Sequence, residues 1–373
     1  MNTQCKKWLE NKIAKLQRAE SYVAEKTNES IAREFGLSPK DIVKLNYNEN
    51  LYIPREKVIP LLKEVAEECD FRIYPQEEEC RLREKIAEYL QLPQGCITIG
   101  NSSDEVMERV IRVFLERGDR AVTFTPTFSI FKYCAGYYDA EFVGVPLKND
   151  FSVDMEAMRS AFTPESRLLY LCSPNNPTAN QLKPREVEAL IEEFPGLVLV
   201  DEAYAEYADY SVVPLISKYE NLIVLRTFSK AFSLAGLRLG YAVANAELAR
   251  ALDKTPAPYP VNVVSLSMGR KLLENMEIVR ESVAALKTER GKLIRQLNEI
   301  RGIEAFDSKA NFVLFNTDKP YAEVYLSVLK RGLVIKKLGK LLSHENCLRS
   351  TVGLPEMNAK LLTALREYMG EKA

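Results

Sequence analysis

RTFSKAFSLAGLRLGY, residues 226–241, is the stretch on which the reading of this chain turns. It continues an apolar, β-branched run, Asn221-Leu-Ile-Val-Leu-Arg-Thr227, whose composition predicts a buried strand. Lys230 therefore falls at a strand's carboxyl end, where open α/β sheets bind their ligands. Burial lowers the pKa of an amine at such a place, and the neutral amine is a nucleophile able to form a Schiff base with a carbonyl cofactor. Arg238 follows beyond the turn Ala235-Gly236-Leu237 and brings a guanidinium fork suited to a phosphate. Taken alone, these residues also fit a surface lysine and a solvated arginine.

Two further apolar runs precede this one. Phe194-Pro-Gly-Leu-Val-Leu-Val200 delivers Asp201-Glu-Ala-Tyr204, and Arg167-Leu-Leu-Tyr-Leu-Cys172 delivers Ser173-Pro-Asn-Asn-Pro-Thr178. A carboxylate at the end of a buried strand needs a cation to remain charged, and a protonated pyridine nitrogen is such a cation. A helix N-cap is the plainer use of the same aspartate. The two prolines around Asn175 and Asn176 stiffen their loop, so that the Asn176 amide can be held against an oxygen acceptor. Upstream again, Cys96-Ile-Thr-Ile-Gly100 reads as a strand, and Asn101-Ser-Ser-Asp-Glu105 opens a helix whose buried stripe is Val106, Val110, Ile111, Phe114 and Leu115. The free N–H groups of a helix start favour an anion. Ser102 and Glu105 have capping-box spacing, which needs no ligand and is compatible with one. Thr125-Pro-Thr-Phe128 places a ring after a proline-fixed turn, either as core or as a platform for a flat cofactor.

The order strand-SPNNPT, strand-DEAY, strand-TFSK resembles the fold-type I pyridoxal-phosphate (PLP) enzymes, and within them the class I/II aminotransferases, over nearly the whole chain. The resemblance implies an α/β fold with a mostly parallel central sheet flanked by helices, plus a smaller α/β domain formed by both chain ends. It implies that Lys230 carries PLP as a Schiff base. Asp201 would pair with the pyridine nitrogen, Asn176 and Tyr204 with the ring 3-oxygen, and Ser229 and Arg238 with the phosphate. Ser103 and Asp104 would add backbone amides to that phosphate, and Phe128 would stack on the ring. The family usually has glycine where Ser102 and Ala179 stand.

Within that family the nearest likeness is to the histidinol-phosphate aminotransferases. It rests on Leu45-Asn-Tyr-Asn-Glu-Asn50 with Tyr52, Arg72-Ile-Tyr-Pro75, Pro258-Tyr-Pro260 and Cys347-Leu-Arg-Ser-Thr-Val-Gly353. The implied reaction exchanges an amino group between histidinol phosphate and 2-oxoglutarate, in histidine biosynthesis. The α-carbon of glutamate bears a carboxylate and that of histidinol phosphate a phosphomethyl group; one arginine fork can bind either, and the resemblance implies that role for Arg349. Tyr52 is the implied extra donor to the phosphate. A homodimer with shared sites is implied as well, Tyr74 and Tyr259 reaching into the neighbour's site. This chain differs from the pattern in having Asn50-Leu51-Tyr52 for Asn-Pro-Tyr, an inserted Ile73, and Lys336 where many members have arginine. Aromatic or other 2-oxoacid transamination and phosphothreonine decarboxylation are the alternatives on the same fold. A non-catalytic, aminotransferase-like sensor is the alternative of another class; it calls for a basic DNA-binding domain in front, which about 45 mostly charge-balanced residues do not make.

Composition narrows the field further. A chain of 373 residues, 46% hydrophobic and 28% charged, buries a sizeable core and suits two domains, expected at 55–260 and, discontinuously, at 1–54 with 261–373. A net charge of −1 argues against nucleic acid or an anionic membrane as partner. No run reaches the length of a membrane span, the first residues are too charged for a signal peptide, and seven cysteines without CxxC spacing suggest reduced thiols. The expected location is the cytoplasm. The single histidine, His344, rules out a multi-histidine metal site and leaves Lys230 as the strongest general-base candidate.

Overall fold

The computed structural model describes residues 3–18 and 25–371. The charged, helix-like opening expected over 1–41 is met by α1 (Thr3–Arg18), α2 (Asn28–Phe35) and a 3₁₀ turn at Pro39–Asp41 capped by Ser38; residues 1–2 and 19–24 of that expectation lie outside the described residues. A short strand β1 (Val43–Lys44) and helices α3 (Arg55–Glu68) and α4 (Gln76–Leu90) then lead into the main layer.

That layer alternates strands with helices: β2 (Ile97–Gly100), α5 (Ser103–Phe114), β3 (Arg120–Thr125), α6 (Ser129–Tyr137), β4 (Glu141–Pro146), α7 (Met155–Ser160), β5 (Ser166–Cys172), α8 (Pro184–Glu193), β6 (Leu197–Asp201), β7 (Leu222–Thr227) and β8 (Gly240–Ala244). They form a seven-stranded sheet in the order β2-β8-β7-β6-β5-β3-β4. β8 runs antiparallel to both of its neighbours. Residues 228–239 hold one 3₁₀ turn and no crossover helix, so the chain doubles back instead of crossing over. Apolar side chains of the central strands alternate between two cores. Leu169, Leu171, Val198, Val200, Leu222 and Val224 face one layer of helices that includes α3, α4 and α8. Leu168, Tyr170, Leu199, Ile223 and Leu225 face the layer of α5 and α6. A sheet covered on both faces needs unbroken apolar strands, which is why these runs were conspicuous in the sequence.

After α9 (Ala246–Asp253), helix α10 (Val263–Glu274) packs on α3 and α4, and α11 (Met276–Asn298) leads to a second sheet. Its strands are β9 (Ile303–Ala305) and β10 (Phe312–Thr317), followed by α12 (Tyr321–Leu329) and β11 (Leu333–Val334), then β12 (Lys336–Leu341) and β13 (His344–Thr351), with α13 (Pro355–Met369) closing the chain. The antiparallel order is β12-β13-β10-β9, while β11 pairs in parallel with β1. The N-terminal segment is stitched in beyond that pair: Leu45 N–H donates to Val334 O at 2.7 Å, and Thr351 N–H donates to Leu45 O at 2.7 Å. Residues 45–52 are thereby held against the end of β13.

Candidate active site

Three parallel strands end side by side. Cys172 of β5 stands beside Asp201 of β6, and Asp201 beside Leu225 of β7, so the loops that follow, 173–178, 202–204 and 228–230, open at one edge of the sheet. This brings Asn176, Asp201, Tyr204 and Lys230 to one place although 54 positions separate the first from the last.

Lys230 donates from Nζ to the Tyr47 carbonyl at 2.9 Å and lies 5.9 Å from the centre of the Tyr204 ring. Burial, with Arg349 adding a nearby positive charge, lowers its pKa to about 8. The neutral amine is thus accessible near neutral pH, as the sequence required of a Schiff-base lysine. Asp201 is 5% exposed and accepts from the Tyr170 hydroxyl at 2.7 Å and from Ala203 N–H at 3.0 Å. Burial pushes its carboxyl up to about 6 against these two stabilising hydrogen bonds. Among the described residues it forms no salt bridge, so the carboxylate is one that a bound cation would suit. Tyr204 accepts from Asn48 Nδ2 at 3.0 Å and packs edge-on against Phe312. Its own hydroxyl hydrogen is therefore the one to offer onward.

Arg349, on β13, enters from the second sheet. Its Nη1 donates to Asn176 Oδ1, its Nη2 donates to Asn46 O at 2.9 Å, and its guanidinium lies over the Phe312 ring at 4.9 Å. The Asn176 oxygen is engaged there, so a bond from this residue to a ligand oxygen has to come from its amide nitrogen. The loop around it is tied down by Asn175, whose amide donates to Pro126 O at 2.9 Å and to Thr178 Oγ1 at 2.6 Å.

The anion cup expected from the sequence would lie at the start of α5. Arg238 Nη2 meets Asp104 Oδ2 at 2.9 Å, which places the guanidinium beside the first turn of that helix. Gly240 makes this approach possible, because a Cβ there would collide with the Ser103 backbone nitrogen. The expected capping box forms only by half. Ser102 Oγ accepts from Glu105 N–H at 3.4 Å, but the Glu105 carboxylate turns to Asn101 N–H and to the fully buried Arg109. An arginine so buried requires its counter-ion, and that demand wins over the cap. Ser229 is buried at the same strand end, and Phe128 precedes α6, packed on the core around Tyr170. The two positions where the family usually has glycine both have positive φ, 81° at Ser102 and 63° at Ala179. The backbone keeps the glycine-type turn and carries the strain of a side chain in it.

The Tyr52 hydroxyl donates to the Gly353 carbonyl at 2.8 Å, a clasp between the N-terminal segment and the end of β13. Tyr74 and Tyr259 stack on each other with ring centroids 4.9 Å apart, and Tyr74 is 77% exposed, facing outward. His344 rests between Phe151 and Phe306 and its Nε2 meets Asn149 O at 3.0 Å, in keeping with a structural role. No group of three or more metal-ligating side chains occurs among the described residues. Asn48 and Tyr170 escaped the sequence reading. Asn48 lay inside a motif noted only as a whole, and Tyr170 looks like any aromatic of a buried strand until β5 is set beside β6.

Comparison with known proteins agrees with this geometry. The family described as aminotransferase class I and II matches residues 40–365. A histidinol-phosphate aminotransferase of Symbiobacterium thermophilum is 36% identical over 360 residues, 95% of this chain and 98% of that protein. One from Methanosarcina mazei is 34% identical over 348 residues, 92% of this chain and 93% of that protein. The crystal structure of histidinol-phosphate aminotransferase from Sinorhizobium meliloti in complex with pyridoxal-5′-phosphate superposes with a TM-score of 0.84 at 25% identity, covering 95% of this chain and 96% of that one.

Proposed function

Since the chain belongs to the class I and II aminotransferases, we propose that it transfers an amino group between histidinol phosphate and 2-oxoglutarate with the help of PLP. The donor set fits that cofactor: an amine of lowered pKa, a buried carboxylate without a cationic partner, and a helix start beside an arginine. When bound, PLP supplies a carbonyl that captures amines and a ring that accepts an electron pair. Lys230 holds the group through Nζ and moves the proton at the substrate's α-carbon. Asp201 would hold charge opposite the ring nitrogen, Tyr204 and the Asn176 amide would serve the ring oxygen, and Phe128 would supply a face for the ring. Ser229, Arg238 and the backbone N–H groups of Ser103 and Asp104 receive the phosphate. Arg349 orients the substrate anion, carboxylate in one half-reaction and phosphate in the other.

The observation that carries this reading is the joining of two parts of the chain at one point. Lys230 and Asp201 come from the stretch we assign as 55–260, whereas Arg349 and Asn48 come from 1–54 and 261–373; Arg349 meets Asn176, and Asn48 meets Tyr204. We further assign a homodimer in which the exposed Tyr74, stacked on Tyr259, reaches the partner's site, and a cytoplasmic location. No described helix is long and apolar enough to cross a membrane, and the seven cysteines are free. The test is a side-by-side measurement of amino transfer to PLP from histidinol phosphate, glutamate, tyrosine, phenylalanine and aspartate. Preference for histidinol phosphate and glutamate is expected. A preference for tyrosine or phenylalanine with no turnover of histidinol phosphate would replace this substrate assignment with an aromatic one.

A further inference from the structure

Arg349 has a second cation beside it. Lys336 of β12 stands directly opposite Arg349 in the antiparallel ladder with β13, so the two side chains leave the same face of the sheet, with Cβ atoms roughly 4.5–5.5 Å apart. Two like charges so placed repel each other, and each has found its own partner. Arg349 turns to Asn176 and to the Asn46 carbonyl, while Lys336 Nζ meets Glu25 Oε1 at 2.7 Å. Both members of that ion pair are partly sheltered, their side chains 32% and 25% exposed.

Glu25 is held there by more than its charge. Its backbone N–H donates to the Tyr47 hydroxyl at 3.2 Å, and the carbonyl of the next residue, Lys26, accepts from Lys44 Nζ at 3.3 Å. Thr27 then caps α2. The same Tyr47 gives its carbonyl to Lys230 Nζ, so one residue ties the Glu25 segment to the lysine of the site. A carboxylate bound on the Arg349 fork is compact and monoanionic. A phosphomethyl group in the same place extends further and carries up to two charges, and Lys336, across the ladder from Arg349, is a cation it could use, with Glu25 already on it.

We propose that Glu25 is a specificity-determining residue, an internal carboxylate that occupies Lys336 and has to yield it before a substrate phosphate is fully bound. The inference rests on the reading of Arg349 as the substrate-anion residue. Phosphorylated substrates then work against the Glu25–Lys336 pair, whereas a carboxylate on Arg349 alone does not. The chain thereby balances its two half-reactions with a charge from its own N-terminal segment.

Glu25→Gln, which keeps the shape and removes the charge, should raise kcat/KM for histidinol phosphate relative to that for glutamate by roughly three- to tenfold, and the gain should shrink as salt is added. The partner test is Lys336→Gln, which should lower that ratio, and in the double variant the Glu25→Gln gain should disappear. A ratio that falls or stays as in the parent on Glu25→Gln, or a gain that persists in the double variant, overturns the proposal. Inorganic phosphate competing with glutamate on the holoenzyme separates this inference from the substrate assignment. Its Ki should fall by a similar factor in Glu25→Gln whether or not histidinol phosphate is the natural substrate, and a Ki that does not fall refutes the role of Glu25. Failure of the parent to turn over histidinol phosphate would instead strike the substrate assignment.

Discussion

Replacing Asp201 by asparagine should make the apoenzyme more stable and the enzyme inactive. In the folded chain burial pushes this carboxyl from 3.8 up to about 6. The charged form therefore costs about 3 kcal/mol of folding stability at pH 8, since each pKa unit corresponds to about 1.4 kcal/mol. The sign follows from the direction of the shift: a raised carboxyl leaves the fold at its best below the unfolded pKa and loses stability as pH rises through about 6. At pH 5 the penalty should be down to about 1.5 kcal/mol. Asparagine removes the charge, so the variant should gain most at pH 8 and about half as much at pH 5. Tyr170 and Ala203, which hold the carboxylate at 2.7 and 3.0 Å, would meet an amide of the same shape, and part of the gain is lost where the amide cannot accept both bonds. Urea unfolding of the two apoenzymes at both pH values measures the difference. The same proteins with PLP should show the reverse preference: the parent gains more from the cofactor, because the ring nitrogen compensates its buried charge, and the variant transfers amino groups far more slowly. An apo variant no more stable than the parent at pH 8, or a difference independent of pH, would refute the account of Asp201 as a carboxylate awaiting a cation.

Lys230→Ala should abolish transamination while leaving the fold intact; near-normal turnover, or borohydride trapping of the cofactor on another lysine, would remove Lys230 from its role. Arg349→Lys keeps the charge but loses the two-pronged contact with Asn176 and Asn46, so both half-reactions should fall by about 1.5–3 kcal/mol, roughly ten- to a hundredfold in kcat/KM, in single-turnover assays. Loss in only one half-reaction would mean that this arginine does not serve both substrates. Tyr52→Phe frees the Gly353 carbonyl and should cost about 1 kcal/mol in unfolding experiments while slowing the two half-reactions alike; a loss confined to histidinol phosphate would instead assign this hydroxyl to the substrate phosphate, as expected from the sequence. Sedimentation should find a dimer that Tyr74→Asp weakens, and a fully active monomer would exclude the shared site.

The sequence determined the layers and the chemistry of this protein because both are written locally. A parallel strand covered on two faces has to be apolar throughout, so the runs ending at Cys172, Val200 and Thr227 were visible as strands, and each was followed within three residues by polar side chains that a buried strand end does not otherwise need. Strand order, by contrast, is a long-range property. That β8 turns back between β2 and β7, and that Tyr170 comes to face the Asp201 carboxylate, depend on which strands pair and in what register. The same holds for the substrate side. Arg349 could be picked out as a candidate for the substrate anion, but its grip on Asn176, the bond from the Tyr52 hydroxyl to Gly353 and the seating of Glu25 on Lys336 join residues 173 to 311 positions apart. Hydrogen bonds and ion pairs act over a few ångströms, so which partners satisfy them is settled only when the second sheet brings the two chain ends against the first.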